Sequence, residues 1–453
     1  MSGDLPRGWA EIEIGDLTAP VRPRCTPQEY PRLPFVGMEQ VESYSGRLIG
    51  TVSSSTMKST AFQFQPGDIL YGRLRPYLNK VLYAELMGLC SSEFIVLPPM
   101  GSFDPKYLAF YLRTDGFVSF ANQLNQGDRP RVNFGQISSH EVPLAPLAEQ
   151  KRIVAKVEKM LAKVDASRAR MEKVSALLKR FRQSILAAAC SGRLTADWRR
   201  GRGKAGEWEP SSVGEVVESL KYGTATKCEY AKRGVPVLRI PNVVSGRIDH
   251  SDLKYAKLPA KELQQLRLVA GDVLLIRSNG SVSLVGRTAV VSRAEEDYAY
   301  AGYLIRLRPD RKKVQPAFLN LVLSSYDIRL QIEVEARSTS GVNNINSEEV
   351  RELSFQLPPL PEQREIVRRM DEMFALADRL EARVGKARGQ VDKLTQSILA
   401  KAFRGELVPQ DPNDEPAEKL LARIRAATGP VAVQGGKVAT TSSVRRGRPR
   451  KAR

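Results

Sequence analysis

A long segment that occurs twice constrains the fold of this chain more than any other feature. PLAEQKRIV at residues 146–154 recurs as PLPEQREIV at residues 359–367. Residues 146–194 align with residues 359–407 without a gap, and Gln-Ser-Ile-Leu and a later Gly-x-Leu recur in both. A chain of 453 residues is too long for one ordinary core, and the repeat predicts two related halves.

Both copies place an apolar residue at alternating steps of four and three, with Ser167 as the one polar exception. Kept this long, a period of about 3.5 residues is typical of a left-handed coiled coil and not of a helix on a globular core. Pro361 and Glu362 suit the first turn of a helix, and Gly192 and Gly405 suit the residue after its end. We therefore expect two long helices that pack on each other. The predicted seam residues are Ile153, Val157, Met160, Val164, Met171, Val174, Leu178, Phe181, Ile185, Ile366, Met370, Met373, Leu380, Val384, Val391, Leu394 and Ile398.

The segments that precede the two helices are also related. PGDILYGR at 66–73 matches AGDVLLIR at 270–277, and SEFIVLPP at 92–99 matches GYLIRLRP at 302–309. These short apolar runs, bounded by Gly, Pro, Ser or Asn, predict strands. DPKYLAFYLRT and QPAFLNLVLSS follow in corresponding places and predict short helices. The fold class is therefore α/β (α+β), with a globular domain before each long helix.

Five regions follow from the repeat and its punctuation. They are a first globular domain at 1–145, a first spacer helix at 146–191, a linker and second globular domain at 192–358, a second spacer helix at 359–405, and a C-terminal extension at 406–453.

The short linker at about 191–206 indicates how the helices run. About 40 helical residues span about 60 Å, which this linker cannot cross if the helices are parallel. An antiparallel pair needs no such return, and it places the two domains at opposite ends as a pseudo-twofold dumbbell. A domain-swapped dimer satisfies the same pattern.

The charge of the chain favours a polyanionic partner. Seventy Lys and Arg against fifty Asp and Glu leave a net charge of +20, which points to nucleic acid, although a solvated basic surface is the alternative. The four scattered cysteines, the lack of a long apolar run and the polar start of the chain predict a cytoplasmic protein with no membrane partner.

These features together resemble the specificity (S) subunit of a type I restriction–modification system, the HsdS family. The likeness rests on Trp9 and Trp208 near the start of each domain, on GD(I/V)L, and on PLxEQxxIV with its heptad helix and QSIL…G(R/E)L ending. It covers about residues 5–410.

The resemblance implies a non-catalytic DNA-binding subunit that acts in host defence. Each globular domain would be a target recognition domain for one half of a bipartite, asymmetric, gapped double-stranded DNA site, with the coiled coil as spacer. Two methyltransferase (M) subunits with S-adenosylmethionine would methylate adenine N6, and motor–nuclease (R) subunits with ATP and Mg would restrict DNA. The chain itself would bind no cofactor and no metal.

Candidate DNA-binding side chains lie in loop-like segments of both domains. Arginine can bind guanine O6 and N7 through two hydrogen bonds, asparagine can bind adenine, and serine can serve either. Half or more of protein–DNA hydrogen bonds go to the backbone, so each candidate can instead be a phosphate contact or a plain surface charge. The predicted residues are Lys58, Arg73, Arg75, Lys80, Arg129, Arg131, Arg277, Ser278, Asn279, Ser281, Ser283, Arg287, Arg337 and Asn343.

Some residues resemble a catalytic site without forming one. Asp68 and Asp272 each follow a glycine before a predicted strand, where an Asx turn is the expected role. His140 and His250 have no Cys or carboxylate cluster around them, which favours structural roles. The sequence has no GxxxxGK[ST] phosphate loop, no Asn/Asp-Pro-Pro-Tyr motif and no glycine-rich cofactor loop.

The C-terminal tail changes character and ends in VRRGRPRKAR. RGRPRK resembles an AT-hook core, whose Arg-Pro-Arg could enter a narrow A·T minor groove. A disordered basic tail with only salt-dependent phosphate affinity explains the same residues.

Two other classes of function stay open from the residues alone. One is a self-sufficient nuclease with an unrecognised site. The other is a coiled-coil scaffold or transcriptional regulator whose domains bind protein.

Overall fold

The computed structural model describes residues 5–20, 23–124, 127–201, 207–335, 338–339 and 342–428. The chain forms two compact units. The first unit contains Met1–Ala169 and Arg388–Arg453, and the second contains Arg170–Ala387. Each unit therefore holds one globular domain, half of each long helix and, in the first unit, the C-terminal extension.

The first unit has three small sheets. Ala10–Glu13 pairs with Glu141–Leu144. A five-stranded sheet has the order Arg24–Cys25, Ala61–Phe64, Gly88–Ser91, Pro34–Val36 and Val52–Ser53, and a three-stranded sheet has the order Val81–Tyr83, Ile69–Gly72 and Phe94–Leu97. The short helices of this domain are Ile14–Leu17, Pro105–Tyr111, Asp115–Gln123 and Phe134–Ile137, with 3-10 turns at Pro27–Glu29, Met38–Gln40, Ser54–Thr56 and Pro76–Leu78.

The second unit repeats this plan with additions. Glu209–Ser212 pairs with Ser354–Leu357. The remaining sheets have the orders Val217–Tyr222, Leu304–Pro309, Val273–Ile276 and Thr288–Val290; Lys254–Ala256, Val235–Leu238 and Ala299–Tyr300; and Ser278–Asn279, Val342–Asn344 and Ser338–Thr339. The short helices are Ala196–Arg200, Val213–Val216, Ile240–Val243, Ala260–Leu266, Pro316–Leu323, Tyr326–Glu335 and Ser347–Glu352, with 3-10 turns at Arg193–Thr195, Val282–Leu284 and Arg293–Glu295.

The internal repeat predicted from the sequence is confirmed in the sheet topology. Ile69–Gly72 lies between two antiparallel neighbours, as does Val273–Ile276. Each domain also contains one parallel pair, in which Phe35 faces Leu89 and Val237 faces Ala299. The strands and short helices predicted from the paired segments are all present, so the mixed α and β fold class is confirmed.

Two helices of 44 residues follow the two domains. The first long helix is Leu147–Cys190 and the second is Leu360–Phe403. Gly192 and Gly405 follow their ends with φ angles of 73° and 71°, the left-handed conformation that stops a helix and suits glycine.

The two long helices pack on each other in opposite directions. In the first unit, the start of the first helix shares a core with the end of the second, through Ile153, Val157 and Ile398. In the second unit, Ile185 near the end of the first helix packs with the start of the second. Ion pairs follow the same order, because Arg168 binds Asp392 and Arg182 binds Asp378. The predicted antiparallel pair is confirmed.

The predicted seam is buried only in parts. The buried positions are Ile153, Val157, Val164, Leu178, Ile185, Ile366, Met370 and Ile398. The half-buried ones are Met160, Met171, Met373, Val384 and Val391. The exposed ones are Val174, Phe181, Leu380 and Leu394. A two-helix pair covers each seam residue from one side only, so away from the globular domains the seam stays open to solvent.

The repeated Glu-Gln of PLxEQ is buried and joins each domain to its helix. The Gln150 amide donates to Ala145 O at 2.8 Å and accepts from Asp104 N at 3.0 Å. In the second unit, Gln363 donates to Pro358 O and accepts from Gln315 N, both at 2.8 Å. Asp104 and Gln315 each precede a short helix of the domain, so one amide fixes that helix against the long one.

The glutamates of the two copies have different partners. Glu149 accepts a hydrogen bond from Trp9 Nε1 at 3.0 Å, and burial raises the pKa of its carboxyl. Glu362 instead binds Thr195 Oγ1 and the Arg199 guanidinium. The segment after the first long helix, predicted only as a linker, therefore supplies a cation and a hydroxyl to the start of the second.

A helix in the C-terminal extension, Ala417–Thr428, was not predicted. Ala417, Leu420 and Ile424 are buried in the core of the first domain, beside Ile12 and Leu17. Asp414 also forms an ion pair with Arg152 at 2.5 Å. The extension therefore belongs to the first unit, whereas the basic 444–453 segment lies outside the described residues.

We predict that Gln150→Ala lowers the midpoint of thermal unfolding by a few degrees. The variant loses two hydrogen bonds in a buried setting, worth about 1–3 kcal/mol together. Gln390→Ala on an exposed face of the second long helix is the matched control and should unfold as the wild type does. Equal midpoints for both variants in calorimetry would contradict a structural role for Gln150.

Candidate nucleic-acid interface

A Gly-Asp turn directly precedes the central strand of each domain, Ile69–Gly72 in the first and Val273–Ile276 in the second. Gly67 and Gly271 both have a φ of 94°, which requires a residue without a Cβ. Asp68 accepts a hydrogen bond from Gln65 N at 2.8 Å, and Asp272 accepts one from Val269 N at 3.0 Å. Both aspartates therefore have a structural role in the turn, but the predicted Asx turn is wrong, because each carboxylate accepts from the N–H three residues before it and not from one two residues after it.

Asp272 also forms an ion pair within the second domain. The Arg308 guanidinium binds both of its oxygens at 2.8 Å. Pro98 stands at the position of Arg308 in the first domain. The turn contact and the ion pair are both structural roles for Asp272.

The first surface is formed by residues 73–75, 93 and 129–132, just beyond the central strand of the first domain. Arg73 N donates to Glu93 O, and Val132 N donates to Arg73 O. Arg75 N donates to Pro130 O, and Leu74 pairs with Arg131 as an isolated antiparallel bridge. The backbone thus brings together two segments that were predicted as separate candidates.

Four arginines lie on the first surface. Arg73 and Arg75 are half-buried, and their Nε atoms are buried with no hydrogen-bond acceptor among the described residues. Arg75 also has a φ of 52°, rare for a residue with a side chain and often associated with functional sites. Arg129 and Arg131 are exposed. Arg131 is bound by Glu93 through Nε at 3.1 Å and Nη2 at 2.8 Å.

The second surface, residues 277–283, 303 and 342–345, has the same backbone frame. Arg277 N donates to Tyr303 O at 3.0 Å, and Ile345 N donates to Arg277 O at 2.9 Å. Ser278 pairs with Asn344, and Asn279 pairs with Asn343. These bonds make Arg277 equivalent to Arg73, Asn279 to Arg75, Tyr303 to Glu93 and Asn344 to Arg131.

The side chains of the second surface are mostly neutral. The Arg277 guanidinium lies 4.6 Å from the ring centre of Tyr222, and its Nε donates to Asn344 Oδ1 at 3.2 Å. Asn343 donates to Gly280 O, and Ser281 and Ser283 are joined by a hydrogen bond. This surface therefore offers amides, hydroxyls and aromatic faces where the first offers guanidinium groups.

The remaining candidates are placed differently. Lys80 donates to Met38 O, and Arg287 donates to Val244 O and Ser283 O. The cationic group of each side chain is therefore bound to backbone carbonyls. Lys58 is exposed and follows the 3-10 turn Ser54–Thr56 on the five-stranded sheet side of the domain. Arg337 lies outside the described residues.

Four residues on or beside these two surfaces are not among the residues predicted from the sequence: Glu93, Tyr222, Tyr303 and Asn344. Glu93 and Tyr303 stand at matching positions in SEFIVLPP and GYLIRLRP, so the divergence was visible in the aligned repeat. Their contacts were not, because they join segments that are far apart in the chain.

The two histidines have structural surroundings. His140 lies among Tyr111, Phe117 and Phe120, its Nε2 is 2.9 Å from Tyr111 Oη, and burial lowers its pKa. His250 Nε2 is 2.7 Å from Glu295 Oε1. Across the described ranges, no group of three or more His, Cys, Asp or Glu could hold a metal ion. Within those ranges, too, every helix is too short or too polar to cross a bilayer.

Comparison with known proteins gives a consistent result. The family model for the type I restriction modification DNA specificity domain matches the chain twice, at residues 6–176 and 205–386. The specificity subunit of the EcoKI type I restriction enzyme from Escherichia coli (strain K12) is 36% identical over 97% of this chain and 99% of its own. The StySPI specificity subunit from Salmonella potsdam is 31% identical over 96% and 98%.

Solved structures show the same fold. A chain from a structure of complex assembly and conformational transition of the type I R-M system is 23% identical, covers 89% of this chain and 100% of that one, and superposes with a TM-score of 0.70. The HsdS subunit from Thermoanaerobacter tengcongensis gives a TM-score of 0.54 at 23% identity, with 89% and 99% covered.

The chain therefore belongs to the family of type I restriction–modification DNA specificity subunits, and the resemblance found in its sequence is confirmed.

We predict that Asp272→Ala destabilises the second domain by about 3 kcal/mol, because the turn and the two-point contact with Arg308 are both lost. Thermal unfolding measures the effect, and Glu218→Ala, at an exposed position of the same sheet, is the control. A variant that unfolds like wild type would exclude the structural role assigned to Asp272.

Proposed function

We propose that this chain gives a type I restriction–modification complex its DNA sequence specificity, and that each globular domain reads one half of a bipartite, asymmetric, gapped duplex site. One observation carries the proposal. The two domains present surfaces with the same backbone frame and different side chains at equivalent positions, such as Arg75 and Asn279. Two related domains that recognise different bases are expected to share a backbone frame and to differ in these side chains.

The chemistry of the surfaces supports unequal half-sites. Guanidinium groups match guanine O6 and N7, whereas amide groups match adenine N6 and N7. The first surface carries Arg73, Arg75, Arg129 and Arg131, and the second carries Asn279, Asn343 and Asn344 beside Arg277. The net charge of +20 supplies the attraction to phosphates that any such reader needs.

The long helices support a gap between the half-sites. Each surface belongs to a separate domain that is joined to its own 44-residue helix. Bases between the half-sites then need no contact with the chain. The spacing of the two half-sites would be set by the protein and not by sequence.

Partner subunits would supply the chemistry. In this proposal two methyltransferase subunits bring S-adenosylmethionine and methylate adenine N6, and motor–nuclease subunits bring ATP and Mg for restriction. The chain itself binds no cofactor and acts on DNA in the cytoplasm.

An open apolar face supports a protein partner on the helices of the second unit. Val174, Leu177 and Phe181 follow one another at helical spacing on the first long helix, and Leu376 and Leu380 do so on the second. Leu177 is 61% exposed, which is costly in water for a side chain of this size. A methyltransferase subunit that covers this face would bury it.

Methylation mapping tests the reading function. Long-read sequencing of cells that carry this gene and its methyltransferase partner should show one gapped motif with two dissimilar halves. Arg75 and Asn279 occupy equivalent positions. Arg75→Ala and Asn279→Ala should therefore each reduce the free energy of base discrimination in one half-site only, by about 1–3 kcal/mol. A continuous motif, or variants that alter both halves together, would exclude the proposal.

Binding of the partner tests the apolar face. Phe181→Asp should weaken or abolish the complex with methyltransferase subunits, because a charge would be buried in an apolar contact. Gln183→Asp adds the same charge at an exposed position on the opposite side of the helix and should not. Light scattering of mixed subunits gives the mass of each complex, and equal complexes for both variants would rule this face out.

A further inference from the structure

Arg277 is the one cation among the residues of the second surface, and two neighbouring side chains hold its guanidinium group. The central carbon of that group lies 4.6 Å from the ring centre of Tyr222. Its Nε donates a hydrogen bond to Asn344 Oδ1 at 3.2 Å. Stacking on the ring restricts the tilt of the guanidinium plane, and the bond at Nε restricts its rotation within that plane. The group therefore has a defined plane and direction.

Tyr222 is itself anchored, so its ring is a fixed support for Arg277. It is the last residue of the strand Val217–Tyr222, where it pairs with Ile305 of the neighbouring strand. Its Oη accepts a hydrogen bond from Ser347 N, at the start of the helix Ser347–Glu352, at 2.8 Å. The sheet thus holds the ring at one end, and the helix holds it at the other.

The outer edge of the Arg277 guanidinium group is open to solvent. Nη1 and Nη2 have no hydrogen-bond partner among the described residues, and neither atom is buried. This edge presents two N–H donors side by side. Such a pair of donors matches O6 and N7 of guanine in the major groove. The contacts with Tyr222 and Asn344 therefore leave free the edge that can recognise a base.

The first domain lacks this arrangement at the equivalent position. Arg73 corresponds to Arg277, but its Nε is buried with no acceptor among the described residues. Arg131 takes the place of Asn344 there, and a guanidinium group cannot accept a hydrogen bond. Support of the arginine at Nε is therefore a property of the second surface and not of the backbone frame that both domains share.

The surroundings of Arg277 favour a base over a phosphate as its target. The other side chains of the second surface that can form hydrogen bonds are neutral amides, hydroxyls and a phenol. A phosphate offers oxygens in several directions, whereas the edge of a base accepts two hydrogen bonds only from a group that lies in its own plane. Contacts that fix the guanidinium plane are therefore of most use when the target is a base.

We propose that Tyr222 and Asn344 are positioning residues that hold Arg277 for one guanine in the half-site of the second domain. The inference rests on the proposed DNA-reading function. It assigns Arg277 to a base edge and not to a phosphate, and it gives Tyr222 a role in recognition without contact with that base.

The test uses the complex of the full chain with its methyltransferase subunits. The probes are duplexes that carry the mapped wild-type site and every single base-pair substitution in both halves, and competition binding gives the preference at each position. The half-site of the second domain is the one that Asn279→Ala alters. Arg277→Lys should lose the preference for guanine at one position of that half, because an ammonium group cannot make the two-point contact.

Two substitutions of Tyr222 separate its ring from its hydroxyl. Tyr222→Leu and Tyr222→Phe both remove the hydrogen bond from Ser347 N, so they share any cost to folding from that loss. Tyr222→Leu also removes the aromatic face, and it should reduce the preference for guanine at the position of Arg277 by about tenfold. Tyr222→Phe keeps the face and should retain the preference. Asn344→Ala removes the acceptor of Nε and should reduce the preference at the same position.

Tyr230→Leu is the matched control in the same domain. Tyr230 is 66% exposed, and the Lys254 amine lies 4.5 Å from its ring centre, so the variant also removes a ring beside a cation. Neither residue belongs to the second surface, and every base preference should stay unchanged. Thermal unfolding shows whether each variant is folded, and Arg277→Lys and Asn344→Ala test the inference if Tyr222→Leu does not fold.

Each outcome decides the question. Binding by Arg277→Lys that is weaker to the same degree for all duplexes would make Arg277 a phosphate contact and overturn the inference. Equal preferences in Tyr222→Leu and Tyr222→Phe, an unchanged preference in Asn344→Ala, or a half-site of the second domain without a G·C pair would overturn it as well. A wild-type complex with no preference for any gapped site would instead overturn the proposed function itself.

Discussion

The buried Glu-Gln pair at the start of each long helix is the contact on which the rest of each unit depends. Gln150 and Gln363 each bind a carbonyl before the long helix and the amide that begins a short helix of the domain. A buried amide left without these partners would carry the full cost of its desolvation, so the domain cannot turn freely on its helix. The surface that the domain presents is therefore held relative to the helix that carries it.

Most of the scaffold was predictable because its sequence pattern occurs twice in the chain. The 3.5-residue period, the Gly-Asp turns and the apolar runs each occur in both halves, and each copy supports the interpretation of the other. The exposed part of the seam was not predictable, because periodicity shows which residues share a face and not whether anything covers it. The helix Ala417–Thr428 was also not predicted, since only a short apolar stripe of Ala417, Leu420, Leu421 and Ile424 packs in the described core of the first domain.

The candidate interface was predictable as segments and not as contacts. Arg73, Arg75, Arg129 and Arg131 were identified by residue type, but only the fold shows that their two segments form one surface. Glu93 was not predicted, because an acidic residue is not among the residue types that favour contact with DNA. Its ion pair with Arg131 becomes visible only in the fold, because the two residues lie in segments that are far apart in the chain.

Within each surface, backbone hydrogen bonds fix the frame, and the side chains account for the differences between the two surfaces. The bonds that join residues 73, 93 and 132 recur at 277, 303 and 345, and none of them requires a particular side chain. Under the proposed function, substitutions at 75 or 131, and at 279 or 344, would therefore change the bases that are recognised without changing the backbone frame. The two surfaces already differ in this way, since Glu93 and Arg131 of the first correspond to Tyr303 and Asn344 of the second within the same backbone frame.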